Sequence, residues 1–403
     1  GFIMIIRSDL HIHSLYSMAT SKNMDINTIA SQSKLKGLDL VGTGDAFHPG
    51  WLQIIENSTN HSDNGIYSVK DCDDSSQTRL VKSVETPETE AEHCKFILTA
   101  EVEDKNRVHQ LIVLPSIESA YEIREKLPSK NIDKEGRPRV EMNGTELMNL
   151  IRDHNGLIGP SHAFTPWTSI YKEFDSIYDC YDDIPDFLEL GLSADTDMAD
   201  RIEELHDIPF LSNSDAHSPW PHRLGREFNE IEIKKMTFDA LKDAINAKKV
   251  VGNYGFDPRL GKYHETGCVR CYKTYSIEEA RELKMRCPCG GLIKIGVKDR
   301  ISDIAEWNEP HHPQFRPQYT HILPLAEIIS LVYGKGITTV FVQKIWKELV
   351  QNFGSEIGCL IYAPIEEVKR TDSKLADVIK QFRENTLKIQ PGAGGMYGKI
   401  ILD

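Results

Sequence analysis

The chain places two histidines directly after its first apolar run, in the stretch Ser8-Asp9-Leu10-His11-Ile12-His13-Ser14. Residues 2–6 have the composition of a short buried strand, and only Arg7 separates them from this stretch. Because side-chain direction alternates along extended backbone, His11 and His13 should project to the same side, as metal chelation requires. One such pair is a weak signal by itself, so its meaning depends on the residues at the ends of the other strands.

Further apolar runs of strand length continue to about residue 212, and helical patterns separate them. With the first run, they cover residues 2–7, 38–43, 96–101, 110–114, 157–160, 187–192 and 209–212. Helical spacing of apolar residues occurs at 25–36, at 145–154 and from Thr237 onward. This alternation predicts parallel strands joined by crossover helices. Seven strands in this order predict a barrel-like α/β domain.

Ionisable side chains stand at the ends of these predicted strands. They are His11, His13, Asp45, His48, Glu101, His109, His162, Asp215 and His217. In a parallel α/β barrel the carboxyl ends of the strands converge on one rim, so these side chains would meet there. A single histidine at a strand end is more often a hydrogen-bonded structural residue than a ligand. Burying so many ionisable groups together without cations would be costly, and the set therefore predicts a metal cluster.

The ligand types indicate the chemistry of such a cluster. Imidazole and carboxylate ligands without thiolates suit zinc, manganese or iron better than calcium. We expect divalent cations such as Zn²⁺, Mn²⁺ or Mg²⁺, which can activate a bound water for attack without a covalent nucleophile. Arg223 and Arg226 follow the last ligands and could clamp a substrate phosphate in a bidentate manner. A surface arginine pair held in salt bridges is an equally good interpretation.

The order of these motifs resembles the polymerase and histidinol phosphatase (PHP) superfamily. The resemblance rests on Asp9-Leu10-His11-Ile12-His13-Ser14, Thr43-Gly44-Asp45, Glu101, His109, Ser161-His162 and Ser214-Asp215-Ala216-His217. It covers about residues 4–255 and implies a distorted seven-stranded (β/α) barrel with a three-metal centre for phosphoester hydrolysis.

The resemblance also implies which residues hold each metal. One metal would be bound by His11, His13, Glu101 and Asp215, a second by Glu101, His109 and His162, and a third by His217 with Asp45 or His48. Of these, His11, Glu101 and Asp215 are the expected catalytic residues, together with Arg223 and Arg226. The superfamily has an Asp-His pair after the second strand, whereas this chain has Ala46 at the histidine position. The choice between Asp45 and His48 therefore stays open.

The pattern changes past residue 255, where glycines and prolines at 252–261 predict a linker. Cys268-x2-Cys271 and Cys287-x-Cys289 follow. Two close thiol pairs predict a tetrahedral structural zinc site, because four thiolates leave no open position on the metal. Zinc binding would supply the folding free energy of so small a module. The basic residues around the cysteines could contact a phosphate backbone.

The remainder of the chain is predicted to be mainly helical, at 323–332, 340–353 and 373–382. The glycine-rich segment 391–399 does not match a phosphate-binding loop, and a tight turn is the better interpretation. We therefore expect a nuclease barrel at 1–255, a zinc module at 256–298 and a helical domain at 299–403. The polar and acidic residues 57–93 predict a long, mobile surface insertion in the barrel.

This combination of modules closely resembles the endonuclease Q family. The C-terminal motifs that carry the resemblance are Arg316-Pro317-Gln318-Tyr319-Thr320-His321 and Gly394-Gly395-Met396-Tyr397-Gly398-Lys399-Ile400. The resemblance implies an enzyme that nicks DNA on the 5′ side of uracil, hypoxanthine, xanthine or an abasic site. DNA with such lesions would be its partner, and other repair or replication proteins are further candidates.

Charge and hydropathy limit the alternatives. The formal charge of 47 − 61 = −14 argues against a generally basic nucleic-acid coat, but it leaves room for a local basic path. The sequence has no apolar run of about 18 residues and no signal-peptide pattern, so we expect a cytoplasmic protein without a membrane partner. Two other functions remain open. A small-molecule phosphatase, such as histidinol phosphatase, would not need the C-terminal modules, and a non-catalytic nucleic-acid-binding protein would not need an intact metal site.

Overall fold

The computed structural model describes residues 2–70 and 94–403. The strands within these ranges are β1 (Met4–Asp9), β2 (Leu40–Gly42), β3 (Ile66–Tyr67), β4 (Lys95–Glu103), β5 (His109–Leu114), β6 (Leu157–Pro160), β7 (Leu188–Glu189), β8 (Phe210–Leu211), β9 (Phe228–Ile233), β10 (Val250–Gly255), β11 (Gly267–Cys268), β12 (Ile293–Lys294), β13 (Tyr319–His321), β14 (Lys388–Gln390) and β15 (Lys399–Ile401). The helices are α1 (Ile26–Lys36), α2 (Pro49–Ser58), α3 (Ile117–Lys126), α4 (Gly144–Asp153), α5 (Ile170–Glu173), α6 (Thr196–Ala199), α7 (Phe238–Asn246), α8 (Ile277–Glu282), α9 (Val297–Ile304), α10 (Leu325–Tyr333), α11 (Val340–Phe353), α12 (Ile365–Thr371) and α13 (Ser373–Glu384). Among these described helices, none is both long and apolar enough to cross a membrane.

Nine strands form the main sheet. Its hydrogen-bonded order is β13-β10-β9-β1-β2-β4-β5-β6, and β3 pairs with β4. β1 is parallel to β2, β2 to β4 and β10 to β13, whereas the remaining pairs are antiparallel. The expectation of parallel strands throughout is therefore wrong. β4 and β5 show the reason, because only residues 104–108 join them and so short a connection permits only an antiparallel hairpin.

The main sheet curls, and a small parallel pair, β7 with β8, lies between β6 at one end of the sheet and β10 next to the other end. Next to β7, the Asp186 amide donates to the carbonyl of Ile158 in β6 at 3.0 Å. Next to β8, Nδ2 of Asn253 in β10 donates to the carbonyl of Phe210 at 3.1 Å. The result is a mixed α/β fold with a curled, half-barrel sheet. A seven-stranded barrel is not confirmed, since β9, β10 and β13 also belong to the main sheet.

β10 occupies part of the segment expected to be a linker. The linker prediction is wrong for residues 252–255, which belong to β10 and pair with β9 and β13. The physical reason is that the apolar residues of this segment pack into the sheet. Val250 is buried, and the ring of Tyr254 stacks on Phe228 with centroids 4.6 Å apart.

The predicted acidic insertion begins inside ordered structure. α2 extends to Ser58, and Ile66 and Tyr67 form the buried strand β3 against β4. The insertion prediction is therefore wrong for 57–70, because two apolar side chains anchor this segment to the sheet. Residues 71–93, which hold most of the acidic residues, lie outside the described residues.

Helix boundaries follow the capping signals in the sequence. Oδ1 of Asp25 accepts from the Thr28 amide at 2.9 Å and caps α1. The same helix ends at Gly37, whose φ of 103° glycine adopts without steric cost. Thr237 caps α7 in the same manner as Asp25. The predicted helices are confirmed, including those of the C-terminal region.

The mainly helical C-terminal region has its own core and docks on the sheet domain. Lys36, at the end of α1, forms a buried ion pair with Glu356. Oε1 of Glu356 also accepts from Nε1 of Trp346 at 2.7 Å. A second buried pair joins Arg316, before β13, to Asp200, with Nε 3.0 Å from Oδ2. These contacts connect the C-terminal region to two separate segments of the sheet domain, the end of α1 and the residue after α6.

The cysteine segment and the chain end form two small sheets, β11 with β12 and β14 with β15. The glycine-rich loop between β14 and β15 packs on the segment that leads into the cysteines. The Glu265 amide donates to the Gly392 carbonyl at 2.9 Å, and the Gly395 amide donates to the Lys262 carbonyl at 3.0 Å. The interpretation of residues 391–399 as a tight turn is therefore confirmed.

Candidate metal centre

Four predicted ligands come together at the carboxyl ends of the strands. His11 and His13 follow β1, Glu101 lies near the end of β4, and Asp215 follows β8. One ligand atom of each lies within 4.8 Å of the others. Nε2 of His13 is 2.6 Å from Oδ1 of Asp215, and Nε2 of His11 is 3.0 Å from Oε2 of Glu101. His11 and His13 do project to the same side, with ring centroids 5.3 Å apart.

A second group shares Glu101 with the first. Glu101, His109 and His162 each bring one ligand atom within 4.8 Å of the others. Nδ1 of His109 is 3.2 Å from Nε2 of His162. Oε1 of Glu101 lies 3.7 Å from His109 Nδ1, and its Oε2 lies 3.5 Å from His162 Nε2. One carboxylate therefore faces both groups, as a ligand shared by two cations would.

Three candidate ligands have left-handed backbone conformations. The φ values are 49° for Asp45, 27° for His162 and 52° for Asp215. Non-glycine residues seldom adopt this region, at a cost of about 1–3 kcal/mol each, and such strain tends to occur at functional sites. Buried Asp9 of β1 stabilises one of these turns, because its Oδ1 accepts from the Ser214 amide at 3.0 Å.

Attraction between the histidines and the carboxylates of these groups changes their pKa values more than burial does. Burial lowers the pKa of His11, but the carboxylates of Glu189, Glu101 and Asp215 raise that pKa well above its usual value. Burial raises the pKa of Glu101, but His11 and His109 lower that pKa well below its usual range. The site thus attracts positive charge, and a metal ion that binds here must displace protons from the imidazoles.

Two atoms at the centre test whether a cation fits. His11 Nε2 and Glu101 Oε2 are buried, and neither makes a hydrogen bond of acceptable geometry to any residue that the structure describes. A buried polar atom without a partner costs about 1–3 kcal/mol. A cation between these atoms would satisfy both. The nitrogen and carboxylate donors also suit a divalent transition metal, so the residues fit such an ion.

The residues predicted for a third metal lie nearby but do not form a third close group among the described residues. The ring of His217 stacks on His13 with centroids 4.3 Å apart. Oδ1 of Asp45 is 3.9 Å from Nδ1 of His13, and its Oδ2 accepts from the Ser14 amide at 2.8 Å. His48 caps α2, with Nδ1 accepting backbone N–H groups of the first turn. The third metal stays a prediction, and the choice between Asp45 and His48 stays open.

Glu189 is a site residue that sequence reasoning missed. It ends β7, is buried, and has both carboxylate oxygens 2.9 Å from Nδ1 of His11. Its Oε1 also accepts from the His162 amide and its Oε2 from Nδ2 of Asn213, both at 2.9 Å. A carboxylate in this position fixes the tautomer and orientation of a metal-binding imidazole. The available signal was an acid inside an apolar strand run, at 187–192.

Arg137 is a cation beside the ligand groups that no motif indicated. Its Nη1 lies 3.2 Å from Oε1 of Glu101, and its side chain is about 39% exposed. The preceding residue is Gly136, where a Cβ atom would lie 2.4 Å from Oδ2 of Asp45. Glycine therefore allows this loop to pass directly against the site, and it brings a guanidinium group to the solvent-facing side of the ligands.

The two arginines predicted to clamp phosphate have different surroundings. Nε of Arg226 donates to the carbonyl of Ser214 at 2.9 Å, next to Asp215 in the chain. Nη1 of Arg223 instead lies 3.4 Å from Oε1 of Glu327 in α10. The salt-bridge interpretation therefore describes Arg223 in this structure, whereas Arg226 lies beside the ligand groups.

One family model and two known proteins are similar to this chain in sequence. Residues 324–386 match the family model of the MJ0043 C-terminal domain. The uncharacterized protein MJ0043 of Methanocaldococcus jannaschii is 53% identical over 245 residues, which are 59% of this chain and 31% of that protein. The chain thus spans about a third of the length of that relative. The uncharacterized protein YqxK of Bacillus subtilis is 30% identical over 98% of this chain and 99% of its own length.

A solved structure extends this similarity to the whole fold. The crystal structure of the lesion-specific endonuclease PfuEndoQ from Pyrococcus furiosus has 47% sequence identity and a TM-score of 0.91, over 99% of this chain and 96% of that chain. This chain belongs to the endonuclease Q family. A structure of Endonuclease Q in complex with a 27-mer duplex substrate, with an abasic lesion at the active site, matches at 47% identity and a TM-score of 0.88, covering 99% of this chain and 97% of that one. The family resemblance inferred from the sequence motifs is confirmed.

In this endonuclease Q family member, the four cysteines also meet. Cys268, Cys271, Cys287 and Cys289 bring their sulfur atoms within 4.8 Å of one another. Sγ of Cys268 is 3.5 Å from that of Cys289, and Sγ of Cys271 is 3.6 Å from that of Cys287. Burial raises the pKa of Cys268, but backbone N–H groups of Cys271 and Arg270 lower it to about 6. Four converging sulfurs with thiolate character fit a structural zinc ion.

A cavity of about 320 Å³ opens between the sheet domain, the cysteine module and β13. Its polar lining includes Asp195, Arg201, Asp257, Lys298 and His321. β10 and β13 run parallel to β1, so the cavity residues that follow or end these strands lie on the same edge of the sheet as the metal ligands. This endonuclease Q relative therefore combines a cation site and a polar cavity on one edge.

Proposed function

We propose that this protein is a metal-dependent DNA repair endonuclease. It hydrolyses the phosphodiester on the 5′ side of a deaminated base, namely uracil, hypoxanthine or xanthine, or of an abasic site. The observation that carries this proposal is the pair of ligand groups that share Glu101, in a chain of the endonuclease Q family. Its substrate would be duplex DNA with such lesions, and other repair or replication proteins are candidate partners. An enzyme that acts on DNA is expected in the cytoplasm.

The proposed centre holds two or three divalent cations, Zn²⁺, Mn²⁺ or Mg²⁺. His11, His13, Glu101 and Asp215 would bind one, and Glu101, His109 and His162 a second. His217 with Asp45 or His48 would bind a third. Divalent cations at such a site supply Lewis acidity for attack of water on a phosphodiester.

The chain's own side chains orient the reacting groups. Glu189 holds the imidazole of His11 so that Nε2 faces the centre. Arg226 is anchored next to Asp215, and Arg137 offers a half-exposed guanidinium to a phosphate oxygen. Arg223 would contact phosphate only after release from Glu327. Glu101 and Asp215 carry the negative charge that must be neutralised before a phosphodiester approaches.

Lesion recognition requires that the target nucleotide leave the helix. Extrusion costs a few kcal/mol and costs least for a mispaired or missing base, which favours damaged sites. The cavity of about 320 Å³ is large enough to admit a base. Its carboxylates, guanidinium groups and imidazole could hydrogen-bond the edge of an extruded base. The polar cavity and the cation site therefore divide recognition and cleavage between them.

The architecture that suits this function is a distorted seven-stranded PHP barrel, in which the β7–β8 pair closes the curled sheet. We assign the barrel to 1–255, the zinc module to 256–298 and the helical domain to 299–403. A structural Zn²⁺ at the four cysteines would hold the module in shape. Residues 71–93 would form the barrel's acidic insertion, whereas 57–70 belong to its ordered structure.

A nicking assay tests the proposal. Labelled duplexes with uracil, hypoxanthine, xanthine or an abasic site are incubated with the protein and Mg²⁺, Mn²⁺ or Zn²⁺, beside an undamaged duplex. We expect a single cut 5′ of each lesion, and we expect Asp215→Ala and His11→Ala to abolish it. His61→Ala is the matched control, because His61 is exposed and pairs with Asp63 away from the ligand groups. Intact duplexes after long incubation with every metal would refute the proposal.

Two further measurements separate the alternatives. Release of inorganic phosphate from histidinol phosphate, without nicking, would indicate a small-molecule phosphatase. Metal analysis distinguishes a nuclease from a binding protein, since an intact centre plus the cysteine site predicts about three or four ions per chain. About one ion per chain, with DNA binding retained, would indicate a non-catalytic protein.

A further inference from the structure

An exposed tryptophan lies on the loop that follows β6, close to the candidate ligands. Trp167 has 51% of its surface exposed, unusually much for so large an apolar side chain. The same loop begins with His162. Oγ1 of Thr165 lies 2.9 Å from Nδ1 of His162 and donates to the Trp167 carbonyl at 3.1 Å. The Thr168 carbonyl, next in the chain, accepts from the His109 amide at 3.1 Å. The backbone of Trp167 is thus connected to both histidines of the second ligand group.

The ring of Trp167 belongs to a mixed aromatic and basic surface. It meets Tyr263 edge to face, with centroids 5.4 Å apart at 88°. Nζ of Lys294, in β12 of the cysteine module, lies 5.8 Å from the Trp167 centroid and 5.1 Å from that of Tyr263. We call Trp167, Tyr263 and Lys294 the aromatic platform. It bridges the sheet domain and the cysteine module at the edge that carries the ligand groups.

A second aromatic and basic pair lies near the platform. Nζ of Lys262 is 4.7 Å from the ring centroid of Tyr397, which is 64% exposed in the glycine-rich loop. Lys262 precedes Tyr263 in the chain, and its carbonyl accepts from the Gly395 amide. Exposed aromatic rings and lysines are therefore concentrated here, on a protein whose formal charge is −14. This local composition is unlike that of the chain as a whole.

Exposed aromatic faces beside lysines are the features that bind unstacked nucleobases. A base stacks on an aromatic face whatever its identity, and lysines attract the adjoining phosphates. Packing within the protein does not explain the platform, because 51% of the Trp167 surface remains exposed despite its contact with Tyr263. Extrusion of one nucleotide leaves a face of the neighbouring base unstacked, and that flat face would cover the exposed tryptophan ring.

We propose that Trp167 stacks on the nucleobase that neighbours the lesion in the cleaved strand. In that position it fills the gap left by the extruded nucleotide, while Tyr263 supports its ring and Lys294 contacts the adjacent phosphate. This inference rests on the proposed endonuclease function and adds a specificity contact to it. Through Thr165 and His162, the same loop places the stacked base at a constant distance from the ligand groups.

The test measures DNA binding and stacking separately from cleavage. Full-length protein is mixed in Ca²⁺ with a fluorescent duplex that carries an abasic analogue, and affinity is read by anisotropy. 5-Iodouracil is placed at one position at a time on either side of the lesion, and photo-crosslinks are mapped by mass spectrometry. We expect a crosslink to Trp167 from a neighbouring position. Trp167→Ala should lose it and weaken lesion binding by about 5- to 100-fold.

Two variants complete the test. Trp167→Phe retains an aromatic face and the contact with Tyr263, so it should bind within about fivefold of wild type. Tyr121→Ala removes a partly exposed aromatic ring on α3, which interacts with Glu56 instead, and should bind as wild type does. The inference would be refuted, and the proposed function left standing, by two results together. These are wild-type affinity and nicking in a folded Trp167→Ala protein, and no crosslink to Trp167 in the wild-type protein. Failure of the wild-type protein to bind or cut any damaged duplex would instead refute the proposed function.

Discussion

Replacement of Glu189 by glutamine is the sharpest test of how the metal centre is organised. The carboxylate of Glu189 receives three donors, namely Nδ1 of His11, the amide of His162 and Nδ2 of Asn213. A glutamine has only one oxygen, so its amide nitrogen must face at least one of these buried donors. It also loses the negative charge that holds His11 with Nε2 directed at the centre.

The unpaired donor should lower the folding free energy, and the lost charge should lower the metal affinity. One unpaired buried donor costs about 1–3 kcal/mol of folding free energy. Loss of a carboxylate behind a ligating histidine lowers metal affinity or activity about 10- to 100-fold. That corresponds to about 1.4–2.8 kcal/mol of binding free energy. We therefore expect Glu189→Gln to fold, to bind divalent cations less tightly by this factor, and to regain nicking activity when the metal concentration is raised.

The assay titrates metal-depleted protein with Mn²⁺ and follows bound metal and nicking rate together. Glu204→Gln is the matched control, because Glu204 also accepts from three donors, on Tyr171, Ser176 and Ile177, but contacts none of the ligand groups. Because Glu204 is only partly buried, the control should lose less stability than Glu189→Gln, and it should retain metal affinity. If Glu189→Gln binds Mn²⁺ as tightly as wild type, or if the control loses as much affinity, the orienting role of Glu189 is wrong.

Three further changes probe other parts of the molecule. Cys271→Ser should release one zinc ion and unfold the small module, while the metals of the ligand groups remain bound. Metal analysis and limited proteolysis would measure these two effects. Release of every metal would contradict the assignment of separate sites. Arg137→Ala should lower kcat for nicking about 10- to 100-fold and leave the metal content unchanged. The control Arg139→Ala, which changes a side chain that is 76% exposed, should nick DNA at a rate near that of wild type. Equal effects of the two changes would argue against a phosphate contact by Arg137. Arg316→Ala removes the buried guanidinium from Asp200, which keeps its contact with Nδ1 of the partly exposed His312. This change should cost about 3–5 kcal/mol in denaturant unfolding, and a loss below 1 kcal/mol would refute a structural role for the Arg316–Asp200 pair.

Sequence reasoning located most of the candidate site because its ligands follow strands. His11 and His13 could be placed together from the alternation of side chains along one strand, and the helices could be bounded by caps such as Asp25 and Gly37. These features depend on residues a few positions apart. The same reasoning misjudged strand direction, since parallel and antiparallel neighbours have similar apolar runs. It also assigned residues 252–255 of β10 to a linker, because the glycines at 252 and 255 outweighed the apolar residues of the strand.

The amino-acid sequence by itself determined the identity and order of the histidines, acids and cysteines, because their chemistry and close spacing can be recognised along the chain. The tertiary structure decided which distant groups act on them. Glu189 contacts His11 across 178 positions, and the Arg137 guanidinium lies beside Glu101 across 36. Trp167 meets Lys294 only because the cysteine module folds back against the sheet domain. Such contacts depend on how strands curl and modules dock, and no local spacing encodes them.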